Sequence, residues 1–414
     1  MSSRLFRSFL NRSLPRWDEK AGLPTGLALS CPNRKRTRGA KKETGMKKNI
    51  RKEVKNRARR NRVRKSVGRT IGMDLGDKVS RCCVLNAAGD VVEESSCPTT
   101  KAGMAQWFAT MSRCRIAIEV GAHSPWVSRQ LKKYGHEVIV ANARQVKLIS
   151  QSSRKNDRLD ARMLAKLARM DPELLRPIRH RSEEAQRDLM VIRVRAALSE
   201  ARTGLVNAAR GLAKATGARL RRCDADQMDT EKLESLPAEL RDTLGPLVEE
   251  VESLTEKIRK CDRKIEQIAR DRYPETQLLR QVSGVGPLIA LTFILTIEDK
   301  ERFPRSRDVG CYVGLRPKQS ESGERQPELR ITKEGDVYLR QLLVQGAHCI
   351  LAKRAPDTDL KRWGTKLAGR GGKNAGKRAI VAVARKLAVL LHHLWATGEV
   401  YEPLRNNQAM AKAA

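Results

Sequence analysis

Thr70-Ile71-Gly72-Met73-Asp74-Leu75-Gly76 decides the fold. An apolar run reaches an acid and then a glycine, the way a buried strand enters a turn. Val79–Leu85 follows as a second strand. Ala88-Gly89-Asp90 supplies a turn, and Val91–Ser96 makes a third strand by hairpin logic. Beyond it the periodicity predicts a helix over Ala102–Ser112, a strand over Arg115–Glu119, a helix over Pro125–Tyr134 and a strand over Glu137–Val140. Helices then follow over Ala143–Ser150 and Asp157–Ala168. The order β-β-β-α-β-α-β-α predicts an α/β, ribonuclease-H-like fold in which the first and fourth strands end side by side.

Downstream the pattern becomes helical. Leu189, Ile192, Leu198, Leu205 and Leu212 mark one stretch over Glu183–Thr216, and a polar break at Cys223–Asp229 ends it. Pro246 suits a first helical turn. Leu247, Val251, Leu254, Ile258, Cys261, Ile265 and Ile268 then recur at alternating steps of four and three. Such a heptad makes a coiled coil or a long antiparallel hairpin. Pro274 ends it, and Gln277–Trp395 is helical, interrupted by glycines. The chain thus divides into a basic arm (1–69), the α/β region (70–180), a helical or coiled-coil region (181–275), a mostly α-helical region (276–402) and a tail (403–414).

The 414 residues hold 84 Lys and Arg against 47 Asp and Glu, a net charge of +37. Residues 1–70 hold 23 of those bases and only 4 acids, so this arm carries about half of the excess. It reads as a segment that orders only on a polyanion, or as sequence ahead of a true start at Met46. A charge of this size points to nucleic acid as partner. The bland reading is a merely basic surface. Aromatic residues are only 4 % of the chain, which excludes a base-stacking platform as the main binding mode. Ala379–Trp395, the best candidate for a long apolar run, is broken by Arg385, Lys386, His392 and His393, so no membrane span is expected. Nine cysteines without a Cys-x-x-Cys pair read as reduced thiols, with neither a zinc site nor a disulfide framework.

Asp74 and Glu119 each close an apolar strand, and burying a carboxylate is costly unless it is paired or holds a metal. Asp157 and Asp160 are three apart at a helix start and share a face. If the four converge, their repulsion calls for cations, and an all-oxygen donor set favours Mg²⁺ or Mn²⁺. Two such ions suit phosphodiester chemistry. Taken singly, Asp157 and Asp160 are also ordinary first-turn acids, and Asp74 an ordinary turn residue. An Asp-x-Gly turn also opens the sugar-kinase and actin-like ATPase fold, but no second phosphate loop or duplicated domain accompanies it.

Gly284-Val285-Gly286, between two helical stretches, resembles a helix-hairpin-helix element that meets a DNA phosphate through backbone amides. It is equally a sharp turn. Ser320 and Ser322 lie in a loop bounded by Pro317 and Gly323, beside Arg316 and Lys318. From local sequence they are solvated loop serines. His123 and His348 lack partners at suggestive spacing and read as structural.

From Thr70 to Glu402 the chain resembles the insertion-sequence 110 family of transposases, also called DEDD transposases. The motifs are Ile71-Gly72-Met73-Asp74, Ile118-Glu119, Asn156-Asp157-Arg158-Leu159-Asp160-Ala161-Arg162, Gly284-Val285-Gly286, and Gly314-Leu315-x-Pro317 running to Ser322-Gly323. The resemblance implies a RuvC-like region whose acids Asp74, Glu119, Asp157 and Asp160 bind Mg²⁺. It implies a serine nucleophile, Ser322 with Ser320 as the neighbour one gap away, that joins covalently to DNA. It further implies a coiled coil making a dimer that assembles into a tetramer, a structured noncoding guide RNA, and action on bacterial DNA in the cytoplasm. A pilin-gene invertase is similar, so inversion is an alternative outcome. A Holliday-junction-type nuclease using metal and water is the enzymatic alternative, and an inactive nucleic-acid-binding protein the non-enzymatic one.

Overall fold

The computed structural model describes residues 68–142, 157–320 and 329–406. The expected basic arm, the helix over Ala143–Ser150, and Ser322 with Gly323 lie outside the described residues.

Five strands form one sheet: β1 (Thr70–Asp74), β2 (Val79–Leu85), β3 (Val91–Pro98), β4 (Arg115–Glu119) and β5 (Glu137–Ala141). Their spatial order is β3-β2-β1-β4-β5. β1, β2 and β3 pair antiparallel, while β1, β4 and β5 run parallel. The strand order is the one expected, consistent with a RuvC-like sheet. β3 is longer than expected because Cys97 and Pro98 continue the ladder opposite Ser80 and Val79.

Three helices accompany the sheet: α1 (Lys101–Phe108), α2 (Ser124–Lys133) and α3 (Asp157–Met170). α1 is shorter than expected, ending at Ala109. The two faces of the sheet are set by strand parity. Ile71, Met73, Ile116 and Ile118 pack with Phe108, Val127 and Leu131 on one face. Ala117, Cys83 and Leu85 face α3, against Leu164, Ala161 and Ala165.

Two long helices follow, α4 (Glu183–Ala215) and α5 (Ala238–Arg272). α4 starts at a Ser182 cap whose hydroxyl accepts the Ala185 amide. Asp188 meets Arg272, Arg195 meets Asp262 and Arg202 meets Thr255, so the helices run antiparallel. The heptads face α4 of the same chain, and the hairpin is what the repeat builds here.

The expectation for Pro246 is corrected. α5 begins eight residues earlier, at Ala238, and Pro246 lies inside it. The reason is tertiary: Leu244 and Val248 bury against Val206, Ala209 and Ala213, which holds the extra turns in place. Pro246 itself faces solvent, where the carbonyl deprived of its amide partner meets water.

The remaining helices are α6 (Thr276–Arg280), α7 (Pro287–Ile297), α8 (Arg307–Tyr312), α9 (Val337–Ile350), α10 (Asp359–Ala368) and α11 (Ala375–Thr397). α7 is apolar all round and every residue from Ile289 to Ile297 is buried. Leu291 and Leu295 pack on the hairpin, while Phe293 and Ile297 pack into the bundle with α9 and α11. α11 is long and apolar enough by composition to cross a membrane, yet Val383, Leu387 and Leu391 form the centre of this bundle.

α3 approaches β1 unusually closely. A Cβ on Gly72 would lie 2.0 Å from the Ala161 carbonyl oxygen and 2.4 Å from the Ala165 nitrogen. Gly72→Ala must therefore lift α3 off the sheet and should cost about 3 kcal/mol, the upper end of overpacking. Gly211→Ala on α4 meets nothing within 4 Å and should gain about 1 kcal/mol from helix propensity. Thermal unfolding of the two variants checks both signs.

Candidate functional site

The ladder sets Asp74 and Glu119 side by side. Met73 pairs with Ile118 in parallel register, so each acid is the next residue at the same end of the sheet. Asp74 shares the parity of Gly72, and Glu119 that of Ala117, which puts both on the face that α3 covers. Both are half-buried.

The direction of α3 follows from Arg115. This buried arginine opens β4 and donates to the Ala168 carbonyl at 3.2 Å, while pairing with Glu137. The last turn of α3 thus covers the start of β4. Its first turn, with Asp157 and Asp160, lies over the other end, where Asp74 and Glu119 are. Helical spacing places Asp157 and Asp160 on the side of α3 that carries Ala161, Leu164 and Ala168. Asp160 is half-buried and Asp157 exposed. Among the described residues, no three His, Cys, Asp or Glu side chains are close enough to hold one ion together. The acids share one end of the sheet without closing around a point.

Two loops leave this end, and both are tied down by residues whose partners are remote in sequence. The Trp126 indole N–H donates to His123 Nδ1 at 3.1 Å, which leaves Nε2 as the protonated nitrogen, 3.3 Å from Asp77 Oδ1. His123 follows β4 and Asp77 follows β1, so the contact bridges the loops after the two strand-end acids. Nearby, Ser124 Oγ accepts the Gly121 amide at 3.0 Å and lies 2.9 Å from His180 Nε2. Burial, then Arg129, Lys132 and Arg181, push the His180 pKa down to about 4.

The loop expected to carry the serine has a firm base. Lys318 N–H donates to the Arg330 carbonyl and Thr332 N–H to the Arg316 carbonyl, at 2.9 and 2.8 Å, around a Pro317–Ile331 bridge. Lys318 and Arg330 are the last paired residues on either side of 319–329, of which 321–328 lie outside the described residues. Ser320 is exposed at its edge, and Ser322 lies outside the described residues. Below the ribbon, Gly314 and Gly335 adopt φ of +72° and +78°. A Cβ on Gly314 would be 2.1 Å from the Glu334 oxygen, and one on Gly335 2.0 Å from the Tyr312 oxygen. Arg340, buried in α9, donates to the Val313 and Glu334 carbonyls at 3.0 and 2.8 Å. Asp336 caps α9 and also pairs with Arg193 of the hairpin.

Gly284 has φ of +84°, and its Cα approaches α9, where a Cβ would be 2.8 Å from the Gly346 oxygen. Gly286 is exposed and starts α7. Packing therefore accounts for the first glycine, and the second leaves a helix N-terminus open.

Two family models match the chain. The DEDD-type IS110 model, described as "Transposase", covers residues 71–217. The model "Transposase IS116/IS110/IS902 family" covers residues 276–361. The chain belongs to the IS110 family of transposases. It is 28 % identical over 342 residues to the transposase for insertion sequence element IS1111A of Coxiella burnetii, spanning 80 % of this chain and 90 % of that protein. It is 28 % identical over 341 residues to a probable family 20 transposase of Pseudomonas aeruginosa, spanning 80 % and 98 %. A transposase for insertion sequence element IS1328 of Yersinia enterocolitica is 27 % identical over 287 residues, spanning 68 % and 84 %. The enzyme is a transposase, and its substrate is DNA. The first match covers Asp74, Glu119, Asp157 and Asp160, and the second covers the serine loop and its base.

Two predictions arise for this transposase. The native state resists protonating His180 while the unfolded chain takes a proton near the ordinary histidine value of 6.5, so stability falls as pH drops from about 6.5 toward about 4. Melting curves across that range should show this slope, and His180→Gln should flatten it. Arg340→Met strands two buried carbonyls and should cost about 2–4 kcal/mol, with Arg340→Lys recovering part. Denaturant unfolding reads both values.

Proposed function

We propose that this transposase moves its insertion sequence through a serine–DNA intermediate assisted by the strand-end acids. The carrying observation is the parallel register that puts Asp74 and Glu119 at one sheet end beneath the first turn of α3. Ribbon, glycine pair and Arg340 support the second half of the reading, because they fix the base of a long loop expected to hold the nucleophile.

Asp74, Glu119, Asp157 and Asp160 would hold Mg²⁺ or Mn²⁺. Their chemistry fits such ions: four carboxylates, no sulfur or imidazole among them, and two of them on adjacent rigid strands. An ion held by these acids would supply polarisation of a phosphodiester and neutralise charge on a departing oxygen. Ser322 Oγ attacks the scissile phosphorus and loses its proton. The P–O bond to the neighbouring sugar breaks, and that sugar oxygen takes up a proton. The phosphoserine ester conserves the bond, so a hydroxyl of the joining strand can displace the serine oxygen, which regains its proton, without ATP.

Because acids and serine occupy separate parts of the chain, the active site is composite. A dimer or tetramer would let one copy's acids serve another's serine. A structured noncoding RNA from the element's flank would choose the DNA partners, and the net charge of +37 suits a protein that holds two polyanions. Gly286, at the open N-terminus of α7, would meet a DNA phosphate, with Gly284 shaping the turn. The division into a basic arm (1–69), a RuvC-like domain (70–180), a helical connector (181–275) and a transposase domain (276–402) follows the same reading.

The test uses cells carrying the native locus with its flanks. Protein purified under denaturing conditions should carry covalent DNA, and Ser322→Ala should carry none while Ser320→Ala still does. Glu119→Gln and Asp157→Asn should lower cleavage by at least about a hundredfold. Cleaved DNA without any adduct would overturn the serine reading in favour of a water-using nuclease. Full cleavage by Glu119→Gln would overturn the acid site.

A further inference from the structure

Beside the acids, α3 and the β2–β3 ladder leave a notch that no step above uses. Arg81 pairs across the ladder with Asp74 on one side and Ser96 on the other, so all three share one face. Glu94 lies opposite Cys83, which packs under Ala161 and Ala165, so that face is the one covered by α3. A cavity of about 150 Å³ opens there, lined by Arg81, Cys82, Glu94, Ser95, Ser96 and Arg158. We propose that this notch is a phosphate subsite for the DNA strand entering the acid site, and the inference rests on the function proposed above.

Three observations carry it. The lining matches an anion: two guanidinium groups and a hydroxyl, whose fork geometry suits a phosphodiester. The carboxylate present, Glu94, is already held by Arg162 at 2.8 and 3.0 Å, so it does not repel a ligand as a bare charge would. Finally, the notch continues. Arg158, Arg162, Lys166 and Arg169 recur at three- and four-residue steps along the β2–β3 edge of α3, successive side chains standing about 6 Å apart. Arg169 ends the row against the β2–β3 turn, donating to the Ala87 carbonyl.

The row decides the class of ligand. A free phosphate or a nucleotide needs the notch alone, whereas a polymer of phosphates uses the notch and the row together. The place decides which polymer. Adjacent strands are about 4.8 Å apart, so a phosphate between Arg81 and Ser96 lies within one or two nucleotides of a phosphate at Asp74. The strand being cut is DNA, and the subsite is assigned to that strand.

The photocrosslinking amino acid p-benzoylphenylalanine is placed at exposed Leu159, next to Arg158 and outside the lining, in the full-length protein, expressed from the native locus with its flanks. After irradiation, denaturing purification and sequencing of attached nucleic acid, DNA from the element ends is expected. Arg81→Ala with Arg158→Ala should lower the yield about tenfold while leaving the melting temperature near that of the parent. RNA at this position, no nucleic acid, or a yield indifferent to the two arginines would each overturn the proposal. Glu119→Gln in the same background separates the two readings. It should retain the DNA crosslink and lose cleavage. Missing crosslinks with intact cleavage by the parent sink the subsite alone, and retained cleavage by Glu119→Gln sinks the acid site alone.

Discussion

The approach of α3 to β1 at Gly72 is the contact on which the rest of the α/β region depends. Backbone meets backbone there, with no side chain between, so the helix can tilt or slide very little. Its pitch and direction are then set by Ala161, Leu164, Ala165 and Ala168 below and by Arg115 at its far end. Everything at the opposite end inherits that fixity. Asp160 can lie over Asp74 and Glu119 only because the helix carrying it has nowhere else to go.

A second set of contacts does for the C-terminal half what Gly72 does for the sheet. Arg181 donates to the Leu295 and Thr296 carbonyls at the end of α7, and Glu298 accepts the Ser182 amide. Arg193 reaches Asp336, and Arg195 holds Asp262 while lying near Tyr338. The helical hairpin is thus bonded at its start to the end of α7 and, through Arg193, to Asp336 at the base of the ribbon. Force on the hairpin reaches Asp336, the cap of α9, and through α9 the arginine that braces the loop.

Much of this was legible in the sequence, for a physical reason in each case. The five strands were readable because an apolar run ending in a turn residue has few alternatives, and their order followed from hairpin and crossover rules. Asp74 and Glu119 stood out because an acid closing an apolar strand is expensive. Pro246 misled because a proline's local preference for a first turn is weaker than the burial of Leu244 and Val248. His123, read as structural, bridges to Asp77, 46 residues away, a partner no local spacing reveals. Arg340 and Arg81 were invisible for the same reason: one acts on carbonyls brought by two loops, the other lines a notch made by a strand register.

The two halves of the proposed chemistry place opposite demands on the chain, and the architecture answers them separately. Carboxylates that share cations must keep their spacing to fractions of an ångström, which suits neighbouring strands in a twisted sheet under a locked helix. A nucleophile that joins one DNA strand and then delivers it to another must serve two partners in turn, so what the chain has to fix is its origin. The rungs from Lys318 to Arg330 and from Thr332 to Arg316 are the last described pairing before the segment proposed to carry it. Gly314, Gly335 and Arg340 pack that ribbon from beneath, independently of the sheet that carries Asp74 and Glu119. Placing acids and nucleophile on separate elements lets each be fixed by its own packing, so neither demand has to be met at the expense of the other.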